Sequence, residues 1–201
     1  MQSVTIDVRQ TDDAFATELQ ICYKQGEKKL KKGIQEVKTL LSSYPHEPKL
    51  LQLLTFFYIK KRKLRKANKC IEENYLHNPT HLPTRINYGD LCVRKGKLDQ
   101  ISVVFDNQVD LRKLYPSRKT FHVSEYRGFM TLMSFYHLAK KEKEAAEAYF
   151  YLAYCVDKAH PSVLLLRKKL TTVSWTKKWC AKMSAFLCST KKFNRKERSD
   201  A

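Results

Sequence analysis

Residues Pro48 to His81 constrain this chain more than any other stretch, because they read as one complete helical hairpin. Leu51, Leu54 and Tyr58 recur three and four apart, a basic turn follows, and Leu64, Ala67, Ile71 and Tyr75 form a second stripe before Pro79. Apolar residues at helical spacing mark an amphipathic helix, and proline marks where it stops. The pattern also recurs. Pro45 stands 34 residues before Pro79, and Gly33 stands 34 before Ala67. A fixed offset in this range is the mark of a repeat array, in which each unit contacts only its neighbours.

With that period the chain divides into units at 14–47, 48–81, 82–115 and 127–160, with an insertion at 116–126. The first unit has Phe15, Leu19, Ile21 and Cys22 on one helix, a turn marked by Gly26 and the lysines after it, and Ile34, Val37, Leu40 and Leu41 on the next. The third has Tyr88, Gly89 and Cys92, a turn at Gly96, and a second helix carrying Ile101, Val104 and Phe105 toward Tyr115. The fourth is read from Ala146, Phe150 and Ala153, spaced four and three apart. A polar leader at 1–13 precedes them. Capping and amphipathic helices at 161–189 follow, carrying Leu164, Leu165, Leu166 and Leu170 and then Trp175 to Leu187, with a basic disordered tail at 190–201. The fold class expected is all-α.

Composition narrows the function classes. Five glycines and six prolines leave little for β-turns, and 43% hydrophobic residues suffice for a core. The formal charge of +19 favours an acidic counterpart or a solvated basic surface, and the run Lys60 to Lys69 reads as such a surface, with Leu64 and Ala67 inward. Cys22, Cys70, Cys92, Cys155, Cys180 and Cys188 contain no C-x-x-C pair, so buried reduced thiols are expected rather than a zinc or disulfide framework. His77 and His81 flank Pro79, which separates them as metal ligands. No metal or cofactor is expected. No signal peptide is visible and the longest apolar-rich run, Leu50 to Ile59, is about half the ~20 residues a membrane span needs, so the expected compartment is the cytoplasm. Phosphate-binding glycine loops, H-E-x-x-H and a nucleophile elbow are all absent from the sequence, which points away from an enzyme.

The units resemble the tetratricopeptide repeat family. In the second unit Leu51, Leu54, Tyr58, Ala67, Ile71 and Pro79 stand where that family carries its large, small, aromatic and proline positions. Gly89 and Phe105 match in the third unit, Ala146, Phe150 and Ala153 in the fourth, and Gly33 and Pro45 in the first. Thr55, Ser134, Ile101, Asn74 and Gln108 depart from its small residues. The resemblance implies a right-handed superhelical array whose first helices line a concave peptide groove. Carried over, that groove takes Glu18, Cys22 and Gln25 from the first unit and Lys49, Gln52, Phe56, Ile59 and Lys60 from the second. The third gives Ile86, Asp90, Val93 and Arg94, and the fourth Thr131, Phe135 and Leu138.

Apolar residues flanked by Lys49, Lys60 and Arg94 suit a protein segment with hydrophobic anchors and acids. The expected function is therefore a protein-interaction scaffold or adaptor. A chaperone for secreted proteins, of the type III secretion kind, is the alternative. Nucleic-acid association through the net charge, and membrane-surface contact by Trp175 to Leu187, rank behind it.

Overall fold

The computed structural model describes residues 13–171; the leader, the Trp175 to Leu187 segment and the basic tail lie outside them. The described chain is all-helical, with α1 at Asp13–Lys28, α2 at Leu30–Ser43, α3 at Pro48–Lys60, α4 at Leu64–His77 and α5 at Leu82–Arg94. Two short helices follow, α6 at Gln100–Val104 and α7 at Leu111–Leu114, then α8 at Val123–Ala139 and α9 at Lys143–Val156. Residues 161–171 form a further helix, α10.

Local chemistry sets several starts. Proline occupies the first turn of α3 and α5, where its missing N–H would have no partner anyway. The Glu47 carboxylate accepts from the Lys49 backbone N–H at 3.4 Å at the start of α3. At α8 the His122 ring accepts from the Ser124 backbone at 3.2 Å, and Glu125 accepts from the His122 backbone at 3.0 Å, a reciprocal cap.

The turns within the second, third and fourth hairpins share one geometry, whereas the first turns through extended backbone at Lys29, with φ of −139°. Arg62, Gly96 and Lys141 each adopt left-handed backbone, with φ of 56, 71 and 65°. Each is bracketed by the same bonds: Lys61, Lys95 and Lys140 close on Phe57, Leu91 and Tyr136, and Lys63, Lys97 and Glu142 on Tyr58, Cys92 and His137. Such a turn satisfies carbonyls that a helix end leaves unpaired. Arg62 and Gly96 are 34 residues apart, whereas Gly96 and Lys141 are 45 apart, a difference equal to the length of segment 116–126. The links between hairpins match as well. Tyr44, Asn78, Tyr115 and Asp157 cap their helices identically, and the residue three beyond each donates its N–H back to it.

Consecutive helices pack as α1 on α2, α2 on α3, α3 on α4, α4 on α5, α5 on α8 and α8 on α9. Tyr23 stacks on Phe56 and Glu27 pairs with Lys60, so α1 and α3 run parallel. Tyr75 on Tyr88 and Glu72 with Lys95 make α4 and α5 antiparallel. Gly128 lies against Ile86 and Gly89 against Leu132, so α5 and α8 are parallel. All four first helices therefore point one way, and the turns that follow them lie along one edge.

One core gathers Val37, Leu50, Leu54, Phe57 and Ala67 between the first two hairpins. A second gathers Leu82, Phe105, Phe129, Leu132 and Met133 around α5, α6 and α8, and a small third joins Ala146 to Leu166 and Leu170 of α10. Three of the sites that depart from small residues, Thr55, Asn74 and Ser134, are absorbed by hydrogen bonds. Ser134 donates to the Ala146 carbonyl at 2.6 Å across the α8–α9 crossing. Asn74, 3% exposed, donates to the Pro48 carbonyl at 3.1 Å and accepts from Thr84 at 3.2 Å.

Four expectations need correction. Of the residues expected at the first turn, Gly26 lies inside α1 instead, and meets the Phe57 ring so closely that a Cβ would overlap it; the turn falls at Lys29, among the lysines that follow. The second limb of the third hairpin breaks after Val104, because Asp106 and Asn107 turn left-handed with φ of 51 and 58°, a conformation those side chains tolerate. Arg85 fixes that turn by a 2.9 Å bond to the Asp106 carboxylate. Leu64 opens α4 on its outer side and is 58% exposed, so only Ala67 of that pair faces inward. Cys155 is exposed, in contrast to Cys22, Cys70 and Cys92, all of which are buried and unpaired.

Candidate functional site

The shared face of the first helices begins with α1 and α3. The Phe56 ring lies 5.8 Å from Tyr23, and Lys60 Nζ sits 4.8 Å above that same ring. Lys60 also approaches the Glu27 carboxylate at 3.4 Å, which in turn accepts from the Tyr23 hydroxyl at 3.1 Å. That bond raises the Tyr23 phenol above its ordinary range. Ile59, one turn beyond Phe56, is 49% exposed. The result is a patch with an aromatic floor, an open apolar side chain and one charge of each sign.

Further toward the start of α3, Gln52 is half-buried, and its amide nitrogen has no hydrogen-bond partner. Lys49 is half-buried at the first turn of the same helix. On α1, Glu18 is exposed and Gln25 half-buried, whereas Cys22 is buried and its thiol raised chiefly by that burial.

Along α5 and α8 the face is progressively covered. Asp90 neutralises Arg94 at 2.7 Å within α5. Ile86 closes on Gly128, and Val93 packs against the second core. Thr131 is buried, 6% exposed, with its hydroxyl unpartnered, so it lines no open surface. Phe135 and Leu138 pack with Leu166 and Leu170, and Lys169 Nζ stands 5.2 Å from the Phe135 ring. Helix α10 occupies that end of the face. Spacing alone cannot show this, because the covering residues lie beyond the repeat.

A second concavity escaped sequence reasoning. The segment between α7 and α8 folds back on the start of α5 and encloses about 470 Å³, lined by Thr80, His81, Tyr115, Arg118, Phe121 and His122, among others. Arg118 bridges to Glu125 at 2.7 Å and lies 4.5 Å over the Phe121 ring. The Tyr115 hydroxyl donates to the Thr80 carbonyl at 2.6 Å, and burial raises its pKa. Burial likewise lowers His81, whose ring nitrogen lies 2.8 Å from the Thr84 hydroxyl. These groups already satisfy one another, which makes the concavity an anchor for the insertion. Its only sequence signal is the aromatic and cationic content of Tyr115 to His122.

Among the described residues no group of three or more His, Cys, Asp or Glu side chains is placed to hold a metal ion. No described helix is long and apolar enough to cross a membrane. No protein-family model, curated protein or solved structure matches this chain.

Proposed function

We propose that this chain is a non-enzymatic protein-interaction module, a superhelical array of the tetratricopeptide kind that takes a partner segment on the shared face of its first helices. The repeated turns at Arg62, Gly96 and Lys141 support the repeat reading, since three turns of one conformation arise naturally from one repeated unit. The single observation that carries the binding site is Ile59, open to solvent beside the Tyr23–Phe56 stack and next to Lys60.

The site is thus narrower than the whole row of groove positions. Tyr23, Phe56, Ile59 and Lys60 form it, with Lys49 and Gln52 further along α3; the α8 end is closed by α10. An apolar anchor desolvates against Ile59 and the aromatic floor, and a neighbouring acid exchanges with Glu27 for Lys60.

Selection of displayed peptides on the full chain tests this reading. Enriched sequences should pair a large apolar residue with an acid, and Ile59→Asp should abolish their capture. Enrichment that survives both Ile59→Asp and Lys60→Glu would place the binding elsewhere.

A further inference from the structure

The turns after the first helices share one edge, and each of those turns carries at least one cation outside any ion pair among the described residues. The α1–α2 turn presents Lys29 and Lys31, the α3–α4 turn Lys61 and Lys63, the α5–α6 turn Lys97 and the α8–α9 turn Lys141. None of these side chains is in an ion pair among the described residues. Most nearby acids are already engaged, Glu27 by Lys60, Glu72 by Lys95, and Glu142 by Lys140 and His137, while Glu144 in the first turn of α9 is in no ion pair. Asp99 is the acid remaining at the α5–α6 turn. On the opposite edge Arg85, Arg118 and Arg127 are each tied to a carboxylate, and the cations outside ion pairs include Lys113, Lys119 and Lys158.

Helix stability does not account for this placement. Lys61, Lys95 and Lys140 cap helix C-termini, where a cation complements the helix dipole. Lys31, Lys63, Arg65 and Lys66 stand at the N-termini of α2 and α4, where a cation opposes it, and neither helix has an acid in its first turn. Lys63, Lys31 and Lys66 also crowd Lys61, whose ammonium is lowered first by desolvation and then by these charges. The charge is concentrated against the local interest of the fold.

We infer that the turn edge binds the phosphate backbone of double-stranded nucleic acid, without reading its bases. The exposed cations recur from turn to turn along the edge, three of the four turns having matching conformation, as a polyphosphate requires. No aromatic side chain lies in these turns to stack an unpaired base, which disfavours single strands. An anionic membrane would need apolar side chains to insert, and only the α3–α4 turn, with Leu64, exposes a large one. A protein partner would need apolar anchors along the whole edge, and among the described residues only the α3–α4 turn, flanked by Ile59 and Leu64, exposes large ones. This surface adjoins the Ile59 patch at the α3–α4 turn, where Lys61 follows Lys60, but does not depend on peptide binding there.

Fluorescence anisotropy of the full chain with a mixed-sequence duplex of about 20 base pairs tests the inference. Binding should fall steeply with salt, at about 0.9 log units per log unit of salt for each phosphate contacted. The triple change Lys31→Glu, Lys63→Glu and Lys66→Glu should weaken binding by about tenfold or more and reduce that slope by roughly 2.7. Because acids suit helix N-termini, its melting temperature should hold or rise. The same charge change at Lys113, Lys119 and Lys158, on the opposite edge, should weaken binding by less than about threefold.

An equal loss from both triples would overturn the assignment of the edge. So would no duplex binding at about 50 mM salt, or capture by phosphatidylserine vesicles without duplex binding. Should the first triple fail to fold, Lys29→Gln with Lys31→Gln must still reduce the salt slope, and an unchanged slope would count against the proposal.

Discussion

Single methyl groups discriminate the close approaches in this molecule from its open turns. A Cβ at Gly33 would overlap the Gly26 backbone and stand 3.1 Å from Phe57, so α1, α2 and α3 meet where two glycines and one ring share the space. Gly33→Ala should lower stability by about 1–3 kcal/mol, read from a urea midpoint, because overpacking there moves helices rather than a side-chain tip. Gly96→Ala meets no atom within 4 Å but forces a left-handed backbone at φ 71°, and should destabilise by about 1 kcal/mol; Gly96→Asn should cost less.

The cysteines give a second residue-scale test. Burial raises the Cys70 thiol to about 11, whereas Cys155 is exposed. At pH 8 Cys155→Ser should therefore remove one fast equivalent of thiol reagent, and Cys70→Ser none. The stability linkage runs the same way. Below the ordinary thiol value of 9.0 both states hold the proton, and between 9.0 and about 11 the unfolded chain releases it first, so stability falls as pH rises through that window.

Elements are positioned by their ends as much as by their faces. The α8 start depends on Glu125, which accepts from the His122 backbone and from Arg118. Glu125→Ala should lower stability by about 1–2 kcal/mol and loosen the 470 Å³ concavity, seen as faster hydrogen exchange over 115–125. At this scale the sequence was most legible where one face repeats: the stripes of α3, α4 and α9, and the all-helical class itself. It was least legible where a contact is distant. Gly26 looks like a turn residue because nothing local shows that Phe57, a hairpin away, needs its space. The break after Val104 has a local cause in Asp106 and Asn107, yet an apolar stripe through Ile101, Val104 and Phe105 conceals it. Likewise the face positions on α5 and α8 follow from spacing, whereas their covering by Leu166 and Leu170 follows only from packing.

Across the whole molecule the parallel first helices give three surfaces with separate chemistry. Their shared face has an open patch at Tyr23, Phe56, Ile59 and Lys60; one edge carries lysines outside ion pairs at each of its turns; the other holds histidines and paired arginines beside Lys113, Lys119 and Lys158. The formal charge of +19 is therefore unevenly deployed, and the binding patch is nearly neutral because Glu27 accompanies Lys60. Peptide binding at the patch should consequently depend on salt far less than duplex binding at the edge.

Calorimetric titration of the best display-selected peptide into the wild-type chain, Ile59→Asp and Leu76→Asp tests the central claim most directly. Leu76 is a fair control because it is 74% exposed on α4, away from the first-helix face. The expected result is a loss of affinity of about tenfold or more for Ile59→Asp and wild-type affinity for Leu76→Asp. Equal affinities for all three proteins, or a greater loss at Leu76, would contradict it.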